Sequence, residues 1–354
     1  MVEILALCRA GFEKEVAAEL SELCAQQGVS GYAKAKDATG YVEFVVHSGT
    51  AVMALFKQIR FDELVFVRHW FVAAEVVMDL NPADRVNSLL PRLDELCDSL
   101  GVEFIDSVES VTADTNEGKA LAKLGKGVSH HLQKALTGKV SKTARYRAQL
   151  LFLDGSSAFV GLYPLSSSSQ WLAGVPRLRL PKQAPSRATL KLEEAWHHFV
   201  PAKDWDKRLA PSMRAVDLGA APGGWTWQLV RRSMFVDAVD NGPMAKELME
   251  SGQVTHHVLD GFVYQPYKPV DWLVCDIADK PSRVASMISR WACQRWFTEA
   301  VFNLKLPMKQ RYQEVMKCRA AISDRLLEQD IPHQLRFKQL YHDREEVTGH
   351  LRLF

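Results

Sequence analysis

Apolar positions along this chain recur with two periods, and each change of period marks a change of element. Val2 to Cys8 predicts a strand, and after Gly11 the residues Phe12, Val16, Leu20 and Leu23 return at helical spacing. The β-branched and aromatic stretches Tyr41 to Val46 and Leu64 to Val76 predict further strands. Asn81-Pro82 offers an N-cap and a first-turn proline to a helix with Val86, Leu89, Leu90, Leu93, Leu96 and Cys97 on one face, a stripe that belongs to the core. Val102 to Val111 predicts a strand and Glu117 to about Leu136 a basic helix. A hairpin follows over Ala148 to Tyr163, turning at Asp154-Gly155.

Ser166 to Ser169 and the spaced prolines Pro176, Pro181 and Pro185 then interrupt the pattern. They predict a linker over residues 166–185 between a region 1–165 and a region 186–354. Ser186 is placed to cap a helix to Phe199 that buries Leu192, Ala195, Trp196 and Phe199. Strands near 214–219, 235–240, 256–260, 271–277 and 299–306 alternate with helical segments that include 281–297 and 308–329. This alternation predicts an α/β, doubly wound, mostly parallel sheet. Gln334 to Tyr341 and Val347 to Phe354 add a closing antiparallel hairpin, and no internal repeat is present.

At 354 residues, with 47% hydrophobic and 24% charged, the chain is long enough for two or three globular domains. The six cysteines are scattered, with no C-x-x-C pair, which points to reduced thiols and to neither zinc nor a disulfide framework. The adjacent His130 and His131 have no third ligand in view. No basic-then-apolar leader opens the chain and no apolar run reaches the ~18 residues of a membrane span, so a cytoplasmic protein is expected. The net charge of +2 hides an asymmetry: between Gly118 and Leu192 there are 13 Lys or Arg residues against the single acid Asp154. That imbalance favours a polyanion-binding face over a merely solvated one and makes Lys119, Lys123 and Lys126 candidates for phosphate contact with RNA.

The densest candidate chemistry lies in Val216-Asp217-Leu218-Gly219-Ala220-Ala221-Pro222-Gly223-Gly224-Trp225, a strand, a glycine loop and a helix start. Such a loop lets backbone approach a nucleotide-like ligand, and the helix start offers free N–H groups to an anion. The glycine order departs from G-x-G-x-x-G, so an NAD site fits poorly. With Asp217 ahead of it and Asp240 closing the next strand, the loop resembles the S-adenosylmethionine (SAM) site of Rossmann-like methyltransferases. In that resemblance Asp240 receives the ribose hydroxyls and Asp260 lies near the adenine.

Ser186-Arg187-Ala188-Thr189-Leu190-Lys191-Leu192 resembles the entry helix of the FtsJ-like ribose 2′-O-methyltransferases, with a lysine at Lys191. Asp276, ending Trp272-Leu273-Val274-Cys275-Asp276, matches that family's aspartate, and Lys305 in Phe302-Asn303-Leu304-Lys305-Leu306 its second lysine. The fourth member, a glutamate opening the last strand, is Glu345 or Glu346, with Glu346 preferred for the pattern that follows. The resemblance implies catalytic roles for Lys191, Asp276, Lys305 and Glu346. It implies SAM contacts from Ala188, Gly219, Ala221, Pro222, Gly223, Gly224, Asp240, Asp260 and Asp276, with no metal. A ribose hydroxyl needs a base, and a lysine serves only where burial or a like charge makes its neutral form accessible. The apolar neighbours of Lys305 predict that it is buried. An amine methyltransferase would carry an Asp/Asn-Pro-Pro-aromatic stretch where Asp276-Ile277-Ala278-Asp279 stands. A carbon-5 enzyme would need a cysteine on the site's side, whereas Cys275 points away from Asp276.

With Asp240-Asn241-Gly242-Pro243-Met244, Leu306-Pro307-Met308-Lys309 and Tyr341-His342-Asp343-Arg344 added, nearly the whole chain is similar to a bacterial 23S rRNA cytidine 2′-O-methyltransferase family. That family has a THUMP-containing, RNA-binding N-terminal region. The one departure noted is Ala221, where a cysteine would be unsurprising and backbone alone is required. The rival of a different class is an RNA-binding protein that holds SAM without catalysis.

Overall fold

The opening apolar run forms β1 (Val2–Leu7), which is hydrogen-bonded along both edges. The computed structural model describes residues 2–47 and 52–354, and its contacts divide the chain into two units, Met1–Val175 and Pro176–Phe354. In the first unit β1 is followed by α1 (Glu13–Gln26), β2 (Gly31–Ala35), β3 (Tyr41–Val46), α2 (Val52–Gln58), β4 (His69–Ala74) and α3 (Arg85–Leu100). Then come β5 (Val108–Val111), α4 (Asn116–Ala120), α5 (Ala122–Ala135), β6 (Tyr146–Phe152) and β7 (Ala158–Pro164). They build a seven-stranded sheet of order β2-β3-β1-β4-β7-β6-β5, in which the β5–β6 pair is parallel and the other pairs are antiparallel.

Side-chain capture of backbone moves several predicted boundaries. The strand expected over Leu64 to Val76 begins only at His69. Ahead of it the buried Glu19 carboxylate accepts from the N–H groups of Val65, Phe66 and Val67, at 2.5, 3.0 and 3.2 Å, so those amides need no strand partner. Helix α3 is capped by Asp84, while Asn81 closes a turn by accepting from the Ala83 N–H at 3.0 Å. The strand expected from Val102 shrinks to Val108–Val111, and the basic helix breaks at Leu121 into α4 and α5. The polar strand β2 and the short helix α2 escaped the pattern. β2 sits at the sheet edge with mostly exposed residues and so carries little alternation.

The second unit runs α6 (Thr189–Phe199), α7 (Trp205–Arg208), β8 (Arg214–Leu218), α8 (Gly224–Arg231), β9 (Phe235–Val239), α9 (Lys246–Met249) and β10 (Val254–His257). It continues with β11 (Val270–Cys275), α10 (Pro281–Cys293), β12 (Phe297–Lys305), α11 (Arg311–Leu327), β13 (His333–Lys338) and β14 (Glu346–Leu353). Its sheet has the order β10-β9-β8-β11-β12-β14-β13, parallel from β10 to β12 and closed by antiparallel β14 and β13, as the alternation predicted. Leu192, Trp196, Trp225, Leu229, Trp272 and Val301 form a core between helices and sheet. The strand order reverses between β8 and β11, the point at which sheets of this kind bind ligands beyond their carboxyl ends.

Asp217, fully buried in β8, accepts from the Thr226 hydroxyl of α8 at 2.6 Å and ties helix to strand under the glycine loop. Burial pushes its carboxyl up to about 7. The folded chain therefore holds a proton that the unfolded chain releases near about pH 3.9, so Asp217 makes stability fall as pH rises between those values. Asp217→Asn removes that penalty. The unfolding free energies of variant and wild type from urea titrations are expected to separate by about 2 kcal/mol more at pH 7.5 than at pH 5, in the variant's favour. An equal gap at both pH values would mean that Asp217 is ionised in the fold.

Candidate active site

The small residues after β8 make a loop closed by Asp240, which directly follows β9. Its Oδ2 accepts from the Ala221 N–H at 3.0 Å and its Oδ1 from the Gly242 N–H at 2.7 Å. Asp240 thus shapes the loop as well as facing it. Gly219 and Gly223 have φ of +78° and +113°, and a Cβ at Gly223 would come within 2.2 Å of Leu248. Only glycine fits there. A Cβ on Gly224 would stand 2.4 Å from the Ser186 hydroxyl and 3.2 Å from the Ala188 methyl, so the entry to α6 packs against the loop. Ser186 does not cap that helix: α6 begins at Thr189, and Ser186 Oγ and Thr189 Oγ1 are buried without hydrogen-bond partners. Asp260 lies past the end of β10, exposed, its Oδ1 accepting from the Phe262 N–H at 2.8 Å.

Across the switch point, the Asp276 N–H donates to Leu218 O at 3.1 Å, and the main chain of Ile277 lies against Gly219. Lys191 of α6 extends its ammonium to Asp276 Oδ2 at 3.4 Å and hydrogen-bonds Glu346 Oε2. Burial works against the charge on Lys191, but the Asp276 and Glu346 carboxylates outweigh it and hold the ammonium above its ordinary range. Burial also raises Asp276, against the pull of Lys191. Glu346 opens β14, while Glu345 turns outward to Arg311 at 2.7 Å. Of the two glutamates left open by the sequence, Glu346 is the one that meets Lys191.

Lys305 differs from expectation. It ends β12 at the rim of the sheet and is exposed, although Phe302 and Leu304 beside it are buried. Its Cα pairs in register with Glu346, and among the described residues its side chain has no hydrogen-bond or ion-pair partner. The structure thus brings Lys191, Asp276 and Glu346 into contact and sets Lys305 next to them at the open edge. Cys275 is fully buried, where burial pushes its thiol up to about 12.

Three supporting residues were missed. Asn303 Nδ2 donates to Asp276 Oδ1 at 2.7 Å, and the Thr348 hydroxyl lies 2.8 Å from Asn303 Oδ1 and 3.0 Å from Asp343 Oδ2. Burial pushes the Asp343 carboxyl well above the usual carboxylate range, and the Thr348 hydroxyl bridges it to Asn303. An asparagine inside the apolar run Phe302–Leu306 was the available signal, since a buried amide needs partners. In the first unit Lys123 and Lys126 are exposed on α5, whereas Lys119 is paired with Asp114 at 2.8 Å.

A parallel sheet with a glycine loop at its switch point and a lysine–carboxylate cluster on the same rim defines a Rossmann-type methyltransferase, and residues 184–311 match the FtsJ-like methyltransferase family. Residues 1–71 match the RlmM ferredoxin-like domain. The chain is 59% identical to ribosomal RNA large subunit methyltransferase M of Teredinibacter turnerae over 99% of this chain and 100% of that one. It is 55% identical to the protein of that name from Saccharophagus degradans (99% of each) and 53% identical to that from Cellvibrio japonicus (100% of each). The chain belongs to the ribosomal RNA large subunit methyltransferase M family. The FtsJ-like match ends before β14, so Glu346 joins the site through the closing antiparallel strand.

Replacing Lys191 with Met leaves two carboxylates facing each other without their cation. Lys191→Met is expected to cost about 2–4 kcal/mol at pH 8. The raised pKa of Lys191 keeps its contribution intact up to about pH 10, whereas acid neutralises the orphaned carboxylates, so the loss should shrink towards pH 5. Denaturant titrations of both proteins at the two pH values measure this, and a loss independent of pH would contradict the ion cluster.

Proposed function

We propose that this chain transfers a methyl group from SAM to the 2′-oxygen of a cytidine ribose in 23S rRNA, in the cytoplasm. The observation that carries the reading is the contact of Lys191 with Asp276 and Glu346, one strand end from the Gly219–Gly224 loop, with Lys305 in register at the open rim. The residues present fit SAM: two glycines admit close backbone approach, and Ser186 and Thr189 present buried hydroxyls without partners. Ala188, Gly219, Ala221, Pro222, Gly223 and Gly224 would hold it together with Asp240, Asp260 and Asp276. When bound, SAM supplies an electrophilic methyl group.

Lys191 is held charged by two carboxylates and is therefore an orienting group rather than a base. Lys305, exposed at the rim, is the residue free to meet a ribose from outside, and it would take the hydroxyl proton once the docked RNA covers it and supplies the burial that a lysine base requires. Asp276, fixed by Lys191 and Asn303, orients donor and acceptor, and Glu346 holds Lys191. In the first unit we assign RNA contact to Lys123 and Lys126, with Lys119 weakened as a candidate by Asp114, and a THUMP-like RNA-binding role to the part beyond the ferredoxin-like match.

Single-turnover transfer of labelled methyl to 23S rRNA at saturating SAM tests the reading. Lys305→Ala is expected to slow transfer by about 10²–10⁴-fold with SAM and RNA affinity nearly intact. Lys305→Arg should fail equally, because a guanidinium does not deprotonate in proteins. Near wild-type transfer by Lys305→Ala would remove the lysine base. Asp240→Ala should weaken SAM binding by about 1–3 kcal/mol or more, since it loses both a ligand acceptor and two loop hydrogen bonds. Unchanged affinity in a calorimetric titration would place SAM elsewhere.

A further inference from the structure

The first unit contains a cavity of about 650 Å³ that the catalytic reading does not use. It opens between the end of α2 with the turn that follows, and the start of β6 with the segment after β7. Lys57, Arg60, Phe61, Arg145, Tyr146 and Ser167 are on its wall. The volume lies within the ~300–1,000 Å³ of small-molecule sites.

Its chemistry is uneven in a telling way. Arg60 is engaged by Asp62 at 2.8 Å and by Glu63 at 3.5 Å, so that cation and the acid on the wall offset each other. Lys57 and Arg145 are exposed and, among the described residues, have no side-chain partner. The wall therefore presents two uncompensated cations. On the same wall are two half-buried aromatic rings, Phe61 and Tyr146. Phe61 is backed by Trp70 at 6.3 Å between ring centroids, and Trp70 is packed on Phe56 at 4.4 Å. The Trp70 indole N–H donates to Ser167 O at 2.7 Å, which fixes that part of the wall. The Ser167 hydroxyl is buried there without a hydrogen-bond partner.

Aromatic faces and free cations on one wall suit a base that stacks and phosphates that pair, and a duplex with its bases already stacked cannot enter such a hollow. A lipid or an acidic peptide would use the cations but leave the rings without a matching flat partner. We propose that this cavity binds one unstacked nucleotide of single-stranded RNA, its base on Phe61 or Tyr146 and the adjoining phosphates at Lys57 and Arg145. The assignment rests on the rRNA reading above and adds to it a feature of the substrate: an unpaired nucleotide apart from the one that is methylated.

The test uses the full chain and a fluorescent single-stranded RNA of about ten nucleotides, compared with a hairpin duplex of the same composition, by anisotropy at about 50 and about 200 mM KCl. Tyr146→Ala should weaken single-strand binding about tenfold without changing its salt dependence, and Tyr146→Phe should retain it. Lys57→Gln with Arg145→Gln, both at exposed positions that leave the fold intact, should weaken it and lower the salt slope by about 1.4. Duplex affinity should be unchanged in each. In methyl transfer to rRNA the same variants should raise KM and leave kcat alone. Single-strand affinity within about twofold of wild type in both Tyr146→Ala and the double variant would overturn the proposal. So would full competition by a free nucleoside monophosphate at its own micromolar affinity, which would make the cavity a small-molecule site. If the wild-type chain neither binds rRNA nor transfers methyl to it, the functional reading falls and the cavity's assignment with it. If wild type does both and the variants match it, only the cavity's assignment falls.

Discussion

The second unit depends on one ammonium group that satisfies two carboxylates from distant parts of the chain. Lys191 comes from α6, Asp276 from the end of β11 and Glu346 from the start of β14, so the three elements can meet only if all are in register. Withdrawing such ions from water is costly, and the cost is offset only when the remaining lone pairs also find donors. Asn303 meets that demand on the second Asp276 oxygen, and the Thr348 hydroxyl meets it in turn for Asn303. One turn along α6, the buried Glu194 accepts from the N–H groups of Tyr341 and His342 at 2.7 and 3.0 Å. Although burial works against its charge, hydrogen bonds from His198 and His342 hold that carboxyl near about 2. The same helix therefore grips the approach to β14 at one residue and its first glutamate at another.

What the sequence made legible follows from how local each feature is. The glycine loop could be read because a strand, its small residues and the next strand's terminal acid lie within one short stretch, and the sheet because its strands and helices alternate. Glu346 is preferred over Glu345 on the pattern that follows it, but one residue of register flips a strand's faces, and only the antiparallel pairing with β12 fixes which glutamate looks inward. Lys305 was expected to be buried on the strength of its apolar neighbours. The error was to extend a strand's burial to its last residue, where the chain leaves the sheet and the side chain meets solvent.

Charge was the least legible property, because an acid-free window in sequence is not acid-free in space. Lys119 is met by Asp114, Lys139 by Asp94, Arg147 by Asp106 and Glu109, and Lys191 by Asp276 and Glu346, all acids from outside the window. Among the described residues, the cations without a side-chain partner include Arg145 at the cavity and Lys123 and Lys126 on α5 inside the window, and Lys57 at the cavity outside it. Glu19 makes the same point for backbone: its hold on three amides replaced the first residues of a strand that propensity alone predicted.

The two halves of the second unit's site differ in how far apart their members stand along the chain. The loop and its closing acid are joined by a hydrogen bond spanning 19 residues, whereas Lys191 and Glu346 are 155 apart. Closing the longer span costs more chain entropy, by an amount that grows with the logarithm of the separation. Contacts of such different range need not form together as a chain folds, and the long-range ones are the slower to be reached. The glycine loop and its closing acid can thus be in place while the Lys191 cluster is still open. A ligand of the glycine loop, present in excess as the chain folds, would stabilise that half-assembled state by mass action and draw the remaining strands into place around it.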